Sequence, residues 1–187
     1  MTIRPLLLLS ALSALMLVGC YADELDRELE LDPFFDLANY IDRQVDSLEI
    51  LSPSVEKTIV LNGEEESKQL SDLNFKNDLR TFRDADINKP AWLDKYTVER
   101  QEDGNVLTHT YTAQDSSLQT RRLTVTSEGG KITRIEVFRL TGTVLSHGEH
   151  RLYYDPTSGY GIRTEQTNRL GEDLNANITV RWAQKKR

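Results

Sequence analysis

Side chains able to move protons, attack carbonyls or hold a metal are sparse in this chain and thinly grouped. It has three histidines, two of them in His147-Gly148-Glu149-His150, the one local run with metal-ligand residue types. On a strand, His147 and Glu149 share a face while His150 points away, and Gly148 disfavours a helix. With no further Cys or His nearby, the run is expected to be a solvated turn that holds no metal. His109 shares the parity of Leu107 and Tyr111, which suits a hydrogen-bonded histidine at a sheet margin better than a general base. Ser158-Gly159-Tyr160-Gly161 reads as a turn entering a strand, unlike the strand-to-helix turn that presents a nucleophilic serine. Gly129-Gly130 lacks the following helix of a phosphate loop. Aspartate and glutamate total 30, but a paired-carboxylate site depends on a proximity in space that sequence does not report. Trp92, Tyr153, Tyr154 and Tyr160 are of types that line pockets, yet aromatics at strand spacing are more often core. No catalytic residue is therefore assigned.

The remaining reactive group is the thiol of Cys20, the single cysteine of the chain. Being single, it excludes an intramolecular disulfide. Before it stand one cation at Arg4, an apolar run from Leu6 to Val18 broken by Ser10 and Ser13, and the small residue Gly19. That is the charged start, apolar region and cleavage site of a secretory signal, and the run is short for a bilayer-spanning helix, which needs about 20 apolar residues. Leu17-Val18-Gly19-Cys20 resembles the lipobox of bacterial lipoproteins. The resemblance implies that residues 1–19 are removed, that a diacylglycerol is joined to Cys20 and that the new N-terminus is acylated, with no other cofactor. Each buried acyl CH₂ contributes about 0.8 kcal/mol, so two or three chains anchor where one is marginal.

Removing residues 1–19 takes away one arginine and no acid, leaving 168 residues with 22 basic and 30 acidic side chains, a formal charge of -8. Such a balance argues against nucleic acid or an anionic headgroup surface as a partner; lipid provides the attachment. Residues 20–32 are strongly acidic and read as a solvated tether. Tyr21 is not the aspartate that resembles an inner-membrane retention signal, which favours the outer membrane. Asp23 and Glu24 fall where acids resemble the surface-export signal of some Gram-negative lipoproteins, which implies exposure on the cell surface.

Residues 33–187 read as a single α+β domain. Phe34, Leu37, Ile41, Val45 and Leu48 recur at helical spacing, with Asp32 as cap, Pro33 in the first turn and Pro53 as terminator. Asn62-Gly63 between Val55–Leu61 and Glu64–Leu70 is a hairpin signal, the second arm being acidic enough for an edge strand, with a helix from Glu64 as the alternative. Ser71 reads as the cap of a second helix bearing Phe75, Leu79 and Phe82, ending before Asn88-Lys89-Pro90. Beyond Trp92 the apolar period becomes two. Tyr96 and Val98, Leu107 and Tyr111, Leu123 and Val125, Ile135 and Val137, Tyr160 and Ile162, and Ile178, Val180 and Trp182 mark one face. The opposite positions are mainly Thr, Arg, Glu and Gln. The expected fold is α+β: a curved antiparallel meander of about six to nine strands with two helices packed on one face.

This order of elements resembles the curved half-barrel of lipoprotein carrier proteins. The stretches Asn74-Phe75 through Phe82, Asp86-Ile87-Asn88-Lys89-Pro90-Ala91-Trp92 and Arg151-Leu152-Tyr153-Tyr154 resemble those of small, uncharacterised lipoproteins of Gram-negative bacteria. The expectation is a lipid-anchored envelope protein, not an enzyme, that binds or scaffolds a protein or apolar ligand. Two alternatives stand beside it: a carrier with an apolar cavity under the sheet, and an envelope hydrolase using converging carboxylates.

Overall fold

The structure is a computed structural model, and it describes residues 34–183. Leu17, Val18 and Gly19 of the expected lipobox, the expected acylation site Cys20, and Asp23 and Glu24 of the expected tether lie outside the described residues, as does the basic end Lys185-Lys186-Arg187.

Strong β formers alternating with polar residues, separated by glycine turns, produce nine strands. They are β1 (Val55–Leu61), β2 (Glu64–Leu70), β3 (Tyr96–Asp103), β4 (Val106–Ala113), β5 (Thr120–Glu128), β6 (Lys131–Gly142), β7 (Ser146–Asp155), β8 (Gly159–Asn168) and β9 (Leu174–Trp182). Together they form one open antiparallel sheet in the order β2-β1-β9-β8-β7-β6-β5-β4-β3. The expected meander is thus β3 to β9, and the first hairpin adds to its far end through β1 on β9. Asn62 (φ 49°) and Gly63 (φ 93°) make the tight turn of that hairpin, where both positions need positive φ. β2 is the acidic edge, exposed along nearly all its length; the helical alternative from Glu64 is not adopted. Because β2 and β3 lie at opposite edges, the connection through residues 71–95 has to cross the sheet.

A few short helices accompany the sheet. α1 (Leu37–Leu51) buries Leu37, Tyr40, Ile41, Val45 and Leu48, the expected stripe. Its cap corrects the sequence reading: the helix begins at Leu37, and Asp36 rather than Asp32 accepts from the backbone N–H of Asn39 at 2.9 Å. Asp32 and Pro33 fall outside the described residues. The reason for the later start is tertiary, since Asp86 Oδ1 accepts from the Leu37 N–H at 3.0 Å and supplies a first-turn partner. At the other end Ser52 turns left-handed (φ 42°) before Pro53.

The second expected helix is two, α2 (Phe75–Asp78) and α3 (Arg80–Arg83), meeting at Leu79. Its cap is Asn74, not Ser71: Asn74 Oδ1 accepts from the Asn77 N–H at 2.9 Å. Phe75, Leu79 and Phe82 are all buried. Phe82 lies edge-on to Tyr154 (5.9 Å) and Tyr160 (6.0 Å), Phe34 to Tyr96 and Tyr111, and Tyr40 to Tyr154. These aromatic contacts join the helical segments to the apolar side of the sheet.

Val98 corrects the sequence reading on that side. It has inward parity, opposite Tyr111, but is 52% exposed. A 15-residue helix reaches roughly 22 Å, whereas nine strands span roughly 38 Å. The edge strand β3 is left partly uncovered. No helix of the described residues is long and apolar enough to cross a membrane.

Candidate functional site

The residues singled out by chemistry do not come together. His147, Gly148, Glu149 and His150 lie on β7, so the run is strand rather than the expected turn. His147 and Glu149 are exposed. His150 is turned inward, with Nε2 3.0 Å from Thr141 Oγ1 and Nδ1 3.1 Å from Thr164 Oγ1. A neutral imidazole satisfies both hydroxyls, donating from one nitrogen and accepting at the other. Burial, with Arg139 adding repulsion, holds the His150 pKa below the ordinary imidazole value. Among the described residues no three His, Cys, Asp or Glu side chains are grouped as metal ligands. His109 stacks on Tyr111 with ring centroids 6.3 Å apart. Ser158 belongs to the β7–β8 turn, and Gly129 and Gly130 both have positive φ in the β5–β6 turn.

The aromatic group divides between the two faces. Tyr154 and Tyr160 are fully buried, Trp92 packs at the core margin beneath Lys89, and Tyr153 stands on the opposite face of the sheet. Tyr160 belongs to a cluster that sequence spacing does not reveal: its hydroxyl donates to Asp78 Oδ2 at 2.6 Å, and Lys57 Nζ reaches the same oxygen at 2.5 Å. The three come from β8, α2 and β1, and both charged side chains are under one-fifth exposed. Burial first, and then the hydrogen bond to Asp78, push the Tyr160 pKa far up. The cluster braces helix to sheet across otherwise apolar packing.

Concave space lies on the other face. A trough of about 670 Å³ crosses it, lined from β3 to β9. Strand register arranges the lining in two rows. One runs Glu99, Thr110, Thr124, Glu136, Tyr153, Gly161, each directly opposite the next. The neighbouring row runs Arg122, Phe138, Arg151, Arg163, Asn177. A register shift between Thr120 and Arg122 marks a bulge in β5; bulges re-aim side chains and add local twist. Here Arg122 faces outward while Thr120 and Leu123 are both buried.

The arginines are held in different ways. Arg151 lies over the Phe138 ring at 4.7 Å and is 3.5 Å from Glu149; Arg163 pairs with Glu165 at 2.6 Å. Arg134, just beyond the trough lining, lies over Tyr153 at 5.4 Å. Arg122 makes no ion pair of 4 Å or less among the described residues. Glu99 and Glu136 are three strands apart in their row, about 14 Å. That exceeds the roughly 5–10 Å used by paired carboxylates in glycoside hydrolysis.

Sequence reasoning missed this trough. Its only linear trace is arginine at outward positions of β5, β7 and β8, and alignment of those positions is a property of register, not spacing. The comparisons add no relative: no protein-family model matches the chain, and no curated protein matches it either.

Proposed function

We propose that this is a lipid-anchored envelope lipoprotein whose globular part is a non-enzymatic binding module, with the open face of the sheet as its recognition surface. The Leu17-Val18-Gly19-Cys20 motif supports the anchor, with outer-membrane attachment favoured by Tyr21 and cell-surface exposure by Asp23 and Glu24. The finer fold reading is an α+β half-barrel-like arrangement, a curved sheet with its helices on one face. The observation that carries the binding role is the trough of about 670 Å³ on the face away from the aromatic contacts. Its volume falls within the roughly 300–1,000 Å³ of small-ligand sites.

Two experiments test the two halves. Cys20→Ser is expected to lose membrane fractionation and to lack the mass of the acyl groups; unchanged mass and fractionation of the variant would refute the anchor. For the binding role, Gly161→Trp fills the trough at a position without positive φ, where an added Cβ meets nothing closer than Ile178 O at 3.6 Å. Thermal-shift measurements against acidic glycans, neutral glycans and peptides should give a rise in Tm that Gly161→Trp abolishes. No response to any class, or responses that survive the blocked trough, would overturn the reading.

A further inference from the structure

Resting on the trough as a binding surface, we infer that its occupant is a linear acidic glycan, a chain of sugar residues carrying both carboxylates and hydroxyls. The two rows differ in what they can bond. Arg122, Arg151 and Arg163 present only donors, and guanidinium matches carboxylate geometry with paired N–H groups. Glu99 and Glu136 present only acceptors, which suit hydroxyl donors, while Thr110 and Thr124 bond either way.

The roots of Arg151 and Arg163 are one strand spacing apart, about 5 Å, and Arg122 stands two spacings from Arg151, about 10 Å. The cations therefore repeat along a line across the strands, which an extended polymer with regularly placed acids can follow. The acid row is what selects within the anions. A pure polyanion such as an acidic peptide would meet Glu99 and Glu136 alongside the arginines and be repelled, since like charges at close range are unfavourable. A neutral glycan would leave Arg122 without an acidic partner, while Arg151 and Arg163 would keep their exposed pairs with Glu149 and Glu165, pairs weak enough to exchange for the carboxylates of an acidic ligand. A ligand with acid along one edge and hydroxyls along the other satisfies both rows. Phe138 and Tyr153 support this division, because Arg151 and Arg134 lie over their rings at 4.7 and 5.4 Å, which holds both cations along the trough.

The test titrates the full-length chain, in non-ionic detergent micelles, with trigalacturonic acid, maltotriose and polyglutamate, read by calorimetry. Trigalacturonic acid is expected to bind, and Arg122→Gln and Arg163→Gln each to weaken it roughly tenfold, the usual scale for a lost charged hydrogen bond. Arg122 is exposed, so its variant should keep the wild-type Tm. Equal or tighter binding of maltotriose or polyglutamate, abolished by Gly161→Trp, would overturn the acidic-glycan inference and leave the trough as a binding site. Trigalacturonate binding that is indifferent to both arginine variants and to Gly161→Trp would overturn the inference and the trough reading together. Absence of trigalacturonate binding to the wild-type chain would overturn the inference.

Discussion

The two faces of the central strands differ by one residue of offset and by nearly everything else. Toward the helices, β5 to β8 present Leu123, Val125, Ile135, Val137, Leu152, Tyr154 and Tyr160, none more than 3% exposed. Away from them the same strands present Arg122, Thr124, Glu136, Phe138, Arg151, Tyr153 and Gly161, which line the trough. Period-two geometry places the buried core and the charged trough on opposite sides of one backbone. The outer row is free to carry charge because the inner face already supplies the burial. Polar groups on the inner face are bonded at Thr120, whose Oγ1 donates to the Ala85 carbonyl at 3.0 Å, and only in part at Arg139, whose Nε is buried without a partner among the described residues.

The largest expected break in that contrast is Phe82→Ala, which empties a fully buried site between Tyr154 and Tyr160. It should cost about 3–5 kcal/mol, measured as the shift in urea unfolding free energy; a loss within the range of surface substitutions would mean that the helices do not seal the inner face. Asp78→Ala comes next, because it leaves Lys57 and the Tyr160 hydroxyl without their shared carboxylate. About 2–3 kcal/mol should be lost, and an Asp78→Ala protein as stable as wild type would show the brace to be dispensable.

A smaller effect is expected from His150, whose pKa is depressed by burial and by Arg139. For a base with a depressed folded-state pKa, the stabilisation is fully present above the unfolded value, ordinarily 6.5, and is lost as pH falls through the folded value. The urea midpoint of wild type should therefore drop on acidification relative to His150→Gln, and parallel pH profiles for the two proteins would disprove it. The smallest effect belongs to the outer row. Thr124→Val and Glu136→Gln should each stay within about 0.5 kcal/mol of wild type, and a core-sized loss at either would erase the distinction between the faces.

Much of the inner face is legible in the sequence because burial leaves a period. The stripe of α1, the Asn62-Gly63 turn and the alternating pairs from Leu107 to Val180 all follow from local geometry. The caps are read less well. Asp36 and Asn74 replace Asp32 and Ser71 because several polar residues near each start could serve, and at α1 the choice is made by distant Asp86. Val98 has the right parity and the wrong burial, since parity states which face a side chain occupies and not whether a helix covers it. The His147 to His150 run becomes strand because its alternation continues that of Leu152 and Tyr154.

The sequence alone determined the period of each segment, the turn positions and the acidic edge, because each depends on neighbours a few residues apart. Tertiary structure decided what is aligned with what. It placed β1 beside β9, joined Lys57, Asp78 and Tyr160, and set Arg122, Phe138, Arg151 and Arg163 in one row. Those groupings depend on strand register and helix docking, which minimise exposed apolar area over the whole chain and leave no local mark at the residues they bring together.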